Sequence, residues 1–303
     1  MSIETVGVVG CGQMGRGIVQ ACATAGFQVK AIKATGGDLT KVQAKFDKSI
    51  GRQLQKGRID QATHDQILAR IEITSDLACV ADCDLVIESA LEDMETKVRL
   101  LRDLESRMTT GAVLASNTSS LPLNDLAAQL ARPAQFLALH FFNPAHVMKL
   151  VELGVTEQTA PGALETCRAF CVAIGKTPVQ VSASPGYVVN RLLVPYMLHA
   201  IETLESGIAG PGAIDTAMQL GCNHPIGPLA LADLIGLDVV MAMATTLSRE
   251  LQDTRYRIPS TLRALVSSQQ LGCKTGVGIY DYAGDAPVLN PALRFTPVAD
   301  AAE

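Results

Sequence analysis

The stretch TVGVVGCGQMGRGIVQACATAG, residues 5–26, decides how the chain folds. Residues 5–10 form a short valine-rich run, the pattern of a buried strand. Gly10, Gly12 and Gly15 follow in G-x-G-x-x-G spacing, and residues 14–26 read as a helix that stops at Gly26. In such a unit the first glycine permits the tight turn and the second lets the backbone approach a pyrophosphate. The third lets the helix pack close to the strand. The first N–H groups of the helix then face the anion. Gln13 and Met14 lie within the same turn and join the expected dinucleotide contact. A plain strand-to-helix turn has a similar composition, but the placement between strand and helix favours the dinucleotide site.

The next apolar run, residues 28–33, reads as a second strand and ends at Lys33. In a dinucleotide fold this residue lies beside the adenosine ribose, where an acid bonds the 2′-hydroxyl of NAD. A lysine cannot accept those hydroxyl protons, and its ammonium attracts a 2′-phosphate. Lys33 therefore favours NADP over NAD, with Thr35 and Gly36–Gly37 available around the phosphate and Lys30 on the same strand. The alternative is a solvated Lys33 with NAD held through its pyrophosphate and nicotinamide ends.

A long polar helical pattern occupies residues 39–57, and strand patterns resume at 83–90, 111–117, 135–142, 148–155 and 177–186. Alternating strands and helices predict an α/β fold with a doubly wound parallel sheet over residues 1–184. Beyond Ser184–Pro185 the patterns are helical, at 187–207, 213–221 and 229–252, so residues 185–283 are expected to form an all-α second domain. Several of these helices carry apolar residues on more than one face, which predicts a homodimer. The Ala- and Pro-rich tail, 284–303, is expected to be poorly ordered.

Composition agrees with two ordinary domains: 303 residues, 48% hydrophobic and 18% charged. A net charge of −5 argues against nucleic acid or an anionic membrane as a partner. The 8 cysteines include no CxxC pair, and no histidine stands near Cys167 and Cys171 to complete a metal site. They read as buried free thiols, with no metal expected. The chain enters a strand at once without a basic leader, and no apolar run reaches membrane-spanning length, so a cytoplasmic protein is expected.

Three further clusters carry chemistry. ASNTSSLP, residues 115–122, sets Ser116, Asn117, Thr118, Ser119 and Ser120 at the end of a strand, a dense group of small donors and acceptors. Such residues also start helices. In LHFFNPAHVMKLVELG, residues 139–154, His140 ends one strand and Glu152 stands twelve residues later in the next. A tight connection between neighbouring strands brings the two side chains together. The buried acid needs a partner, and a carboxylate beside an imidazole fixes its tautomer and stabilises the imidazolium of a general base. In SPGYVVNRLLVPY, residues 184–196, Asn190 sits one turn into the first helix of the second domain, where it serves either a ligand cleft or helix packing.

Taken together these clusters resemble the L-3-hydroxyacyl-CoA dehydrogenase family, which includes the 3-hydroxybutyryl-CoA dehydrogenases. The similar motifs run from about residue 4 to 282: GCGQMGRGI, SNTSSLP, HFFNPAHVMKLVE, PGYVVNRLLVPY, HPIGPLALADLIGLD and KTGVGIYDY, in the family's order and spacing. The resemblance implies a Rossmann-type N-terminal domain and an all-α C-terminal domain that forms most of a dimer interface. It implies hydride exchange between a nicotinamide cofactor and a 3-hydroxyacyl thioester, carried by CoA or by acyl carrier protein. His140 resembles the base that takes the 3-hydroxyl proton, with Glu152 as its carboxylate partner. Ser119 and Asn190 match polar residues around the substrate oxygen and the nicotinamide. Glu92, Lys97, Asn117, Asn143 and Lys274 match positions near the cofactor, and Ser49 and Lys56 match positions that meet the CoA part. Departures from the pattern are Lys33, where the family usually has Asp, and Cys273 and Val277, where it commonly has polar residues. A cofactor-binding sensor without turnover is the competing class, but it has no need of a base with its carboxylate.

Overall fold

The computed structural model describes residues 3–284 and 286–293. They form two compact units that divide between Tyr187 and Val188.

In the first unit, β1 (Thr5–Val9), α1 (Gln13–Thr24) and β2 (Gln28–Ile32) are followed by α2 (Thr40–Gln55), α3 (Gln61–Ala69) and β3 (Ile71–Thr74). Then come β4 (Leu85–Glu88), α4 (Met94–Arg107), β5 (Val113–Ser116), α5 (Leu123–Ala127), β6 (Phe136–Phe141), β7 (Leu150–Val155), α6 (Pro161–Ala173) and β8 (Thr177–Ser182). One eight-stranded sheet has the order β3-β2-β1-β4-β5-β6-β7-β8. All neighbours are parallel except β6 and β7. A parallel return needs a crossover of a dozen or more residues, and the short link from Phe141 to Leu150 contains none, so the chain doubles back.

The central strands are buried on both faces. Val6 and Val8 of β1 pack into one layer with Ile18 and Ile87, while Val9 packs into the opposite layer with Val86 and Leu101. That is the two-residue period of a strand covered by helices on both sides. The sequence patterns did not reveal α3 or β3. β3 is a four-residue edge strand, partly exposed, and its Ile-Glu-Ile-Thr pattern is too short to stand out.

The second unit holds α7 (Val189–Glu205), α8 (Pro211–Cys222), α9 (Pro228–Ile235), α10 (Leu237–Leu251) and α11 (Ser260–Ser267). The single helix expected over 229–252 is two helices bent by 95° at Gly236. Gly236 has φ +105°, which an L side chain rarely adopts, and apolar residues on both sides hid the break. Buried Asp215 and Asp233 knit this unit together. Asp215 accepts from the backbone of Leu229 and Ala230 and from the Tyr280 hydroxyl, and Asp233 from the backbone of Ile279 and Tyr280 and the Tyr282 hydroxyl. Motifs HPIGPLALADLIGLD and KTGVGIYDY are thus joined through two carboxylates.

The tail is not uniformly irregular. β10 (Val288–Leu289) pairs with β9 (Tyr280–Asp281), and buried Asn290 donates to Gln270 and to the Gly278 carbonyl. Residues 294–303 lie outside the described residues. Not every thiol is buried: Cys222 and Cys273 are exposed. Among the described residues no single helix is long and apolar enough to cross a membrane.

Candidate active site

The glycine turn has the shape its spacing predicts. Gly10 has φ +114°, and a Cβ there would stand 2.3 Å from the Ser89 carbonyl oxygen. A Cβ on Gly15 would stand 1.7 Å from the Gly10 carbonyl oxygen, so only glycine lets α1 approach its own turn. Gly12 is exposed with nothing near its Cβ position, which leaves its backbone open to a ligand. It caps α1 without any side-chain cap, and the first turn holds no acid. Open backbone, uncapped N–H groups and no competing carboxylate fit a dinucleotide pyrophosphate. Gln13 donates to the Asn143 side chain at 3.0 Å, tying the turn to the β6–β7 link. Met14 instead packs partly buried against the core.

Lys33 directly follows β2, and its Nζ lies 2.9 Å from the Cβ position of Gly37, folded over the turn that follows. Lys30 is committed elsewhere: it donates to the Cys79 carbonyl and pairs with Asp82 at 3.0 Å.

The antiparallel register sets His140 directly opposite Glu152. Nδ1 of His140 lies 2.7 Å from Oε2 of Glu152, with the residues 5% and 1% exposed. An ionised carboxylate only accepts, so Nδ1 carries the shared proton and Nε2 is the atom free to exchange one. The imidazole is walled by Phe142 and Tyr187, at ring-centre distances of 4.6 and 5.4 Å. Sequence reasoning missed Tyr187, which adopts φ +44° and whose ring fills the space a side chain at Gly154 would need. Its hydroxyl is buried without a hydrogen-bond partner among the described residues, and burial, with the charges of Glu92 and Glu152, pushes its pKa up.

The 116–120 loop is the third part. Thr118, Ser119 and Ser120 bond Glu92, Ser116 bonds Glu88, and Lys97 lies between the two acids. Burial raises the Glu92 carboxyl pKa, but Lys97 and the loop donors more than offset this, leaving it below the usual range. Asn117 spends its side chain on Ser89 and on the Phe141 N–H, locking the ends of β4, β5 and β6 together. Glu88 went unremarked in the sequence; the signal was an acid closing an apolar strand, which needs a buried partner.

The other candidates lie on other elements. Ser49 donates to Gln20 at 2.7 Å and lines a cavity of about 440 Å³ with Arg16, Lys45, Lys48 and Arg52. Lys56 caps the end of α2, exposed, and does not line that cavity. Asn190 and Lys274 belong to the second unit, on α7 and beside Asp238, to which Lys274 is paired.

A glycine turn open to a pyrophosphate and a buried histidine–carboxylate pair on the same sheet define a nicotinamide-dependent oxidoreductase. The family description "3-hydroxyacyl-CoA dehydrogenase, NAD binding domain" matches residues 5–184, and "3-hydroxyacyl-CoA dehydrogenase, C-terminal domain" matches residues 186–282. The chain belongs to the 3-hydroxyacyl-CoA dehydrogenase family. It is 42% identical to a 3-hydroxybutyryl-CoA dehydrogenase of Clostridioides difficile, over 91% of this chain and 98% of that one. Among solved structures, M. tuberculosis FadB2 superposes with a TM-score of 0.90 at 40% identity, covering 93% of this chain and all of the other (100%). (S)-3-Hydroxybutyryl-CoA dehydrogenase PaaH1 of Ralstonia eutropha gives 0.88 at 41% identity, with the same coverage of 93% and 100%.

Proposed function

We propose that the protein interconverts 3-hydroxybutyryl-CoA and acetoacetyl-CoA, with His140 as the proton-exchanging group. The observation that carries this reading is the 2.7 Å contact between buried His140 and Glu152. The nicotinamide, when bound, supplies or accepts the hydride. In the oxidative direction Nε2 of His140 takes the 3-hydroxyl proton, and Glu152 stabilises the imidazolium formed. In the reductive direction the imidazolium returns that proton to the developing alkoxide. Ser119 orients the substrate oxygen, and Ser49 and Lys56 meet the carrier. Relatives named for CoA thioesters support CoA over acyl carrier protein as that carrier.

NADP is the favoured cofactor. Lys33 directly follows β2, its ammonium folded over the adjoining turn, and Lys30 is not available to help. The test is reduction of acetoacetyl-CoA with NADH and NADPH in parallel. Turnover is expected with both, with the higher kcat/KM for NADPH, and Lys33→Asp is expected to reverse the preference by about tenfold or more. A higher kcat/KM for NADH in the wild type overturns the NADP assignment. No turnover with either overturns the substrate assignment.

The second unit supports a homodimer. Leu192, Ile208, Leu220 and Leu234, at 68%, 72%, 82% and 62% exposure, are large apolar side chains facing outward on or beside its helices. Light scattering at micromolar concentration is expected to give twice the chain mass of 32.0 kDa; the monomer mass contradicts it.

A further inference from the structure

We infer that Glu88, Lys97 and Glu92 are positioning residues that aim the Ser119 hydroxyl at the substrate oxygen. Lys97 acts through this loop. The role of Ser119 rests on the function proposed above; the network that holds it is independent of that reading.

Lys97 is 1% exposed, with Nζ 2.6 Å from Oε1 of Glu88 and 3.3 Å from Oε2 of Glu92. Glu88 is fully buried, and its Oε2 accepts from the Ser116 hydroxyl at 2.6 Å. Oε1 of Glu92 gathers the Thr118 hydroxyl at 2.6 Å, the Ser119 N–H at 2.9 Å and the Ser120 N–H at 3.2 Å. Thr118 in turn accepts from the Leu121 N–H, and the Ser119 carbonyl accepts from the Gly186 N–H. Ser116, Thr118 and Ser120 thus point their hydroxyls inward at the two carboxylates. The Ser119 hydroxyl is the exception, and it bonds no other described residue. Oε1 of Glu92 is taken up by the loop donors, while Oε2 faces Lys97. One buried ammonium therefore links the end of β4 to the loop after β5, and the orientation of Ser119 follows from that link.

The test compares Lys97→Met, Glu92→Gln, Ser119→Ala and the doubles with Ser119→Ala. Hydrogen exchange of residues 116–121 in the cofactor-free protein is expected to rise about tenfold in Lys97→Met, with α6 unchanged. Cofactor Kd, read by fluorescence titration, is expected to change less than about twofold while kcat falls roughly ten- to a hundredfold. Added to Ser119→Ala, Lys97→Met is expected to lower kcat by less than about twofold further, because the group it positions is already gone. Should Lys97→Met not fold, Glu92→Gln carries the same comparisons. A raised Kd with unchanged kcat, additive effects with Ser119→Ala, or unchanged exchange of 116–121 overturns the inference. If the wild type turns over no acetoacetyl-CoA, the proposed function fails while the exchange and Kd results still decide the network.

Discussion

His140→Gln is expected to lower turnover roughly a hundred- to ten-thousandfold, about 3–5 kcal/mol of transition-state stabilisation, while leaving cofactor affinity nearly unchanged. Glutamine fills similar space and can still donate to Glu152, but it cannot hold the transferred proton. The residue is buried between Phe142 and Tyr187, so the substituted amide stays in place and the loss is chemical. Steady-state kinetics with acetoacetyl-CoA and a cofactor titration check this; comparable turnover in the two proteins removes His140 from the proton-exchanging role.

Glu152→Gln is expected to lower turnover about ten- to a thousandfold and to move the pH profile to lower pH. The amide keeps the hydrogen bond to Nδ1 but removes the negative charge that stabilises the imidazolium. Oxidation needs the neutral ring, so its acid limb extends to lower pH; reduction needs the charged ring, so its alkaline limb falls earlier. Both limbs move the same way. An unchanged profile would show that the carboxylate does not act on the ring.

Much of this was legible in the residues because local pattern and tertiary structure agree. The glycine turn declares itself through conformations only glycine adopts, at Gly10, and through contacts no Cβ survives, at Gly15. The His140–Glu152 contact followed from a short link between two strands and from the need of a buried acid for a partner. What was hidden has equally definite causes. β3 is too short for its period to show, and the bend at Gly236 is flanked by apolar residues, Leu234, Ile235 and Leu237, that fit one continuous helix. Glu88 finds its partner nine positions on, in the next helix, a distance that no single-element pattern records. Tyr187 gave no signal either, since a backbone conformation rare for tyrosine is set by its surroundings and not by its own preference.

The central claim is hydride transfer to the third carbon of a 3-oxoacyl-CoA with His140 delivering the proton. The most direct measurement is reduction of acetoacetyl-CoA with a reduced nicotinamide cofactor deuterated at its transferable position, with the product read by mass spectrometry. The expected product is 3-hydroxybutyryl-CoA carrying a single deuterium on the third carbon, formed rapidly by the wild type and far more slowly by His140→Gln. A wild-type product without deuterium at that carbon, or equal rates of labelling in the two proteins, would contradict the account.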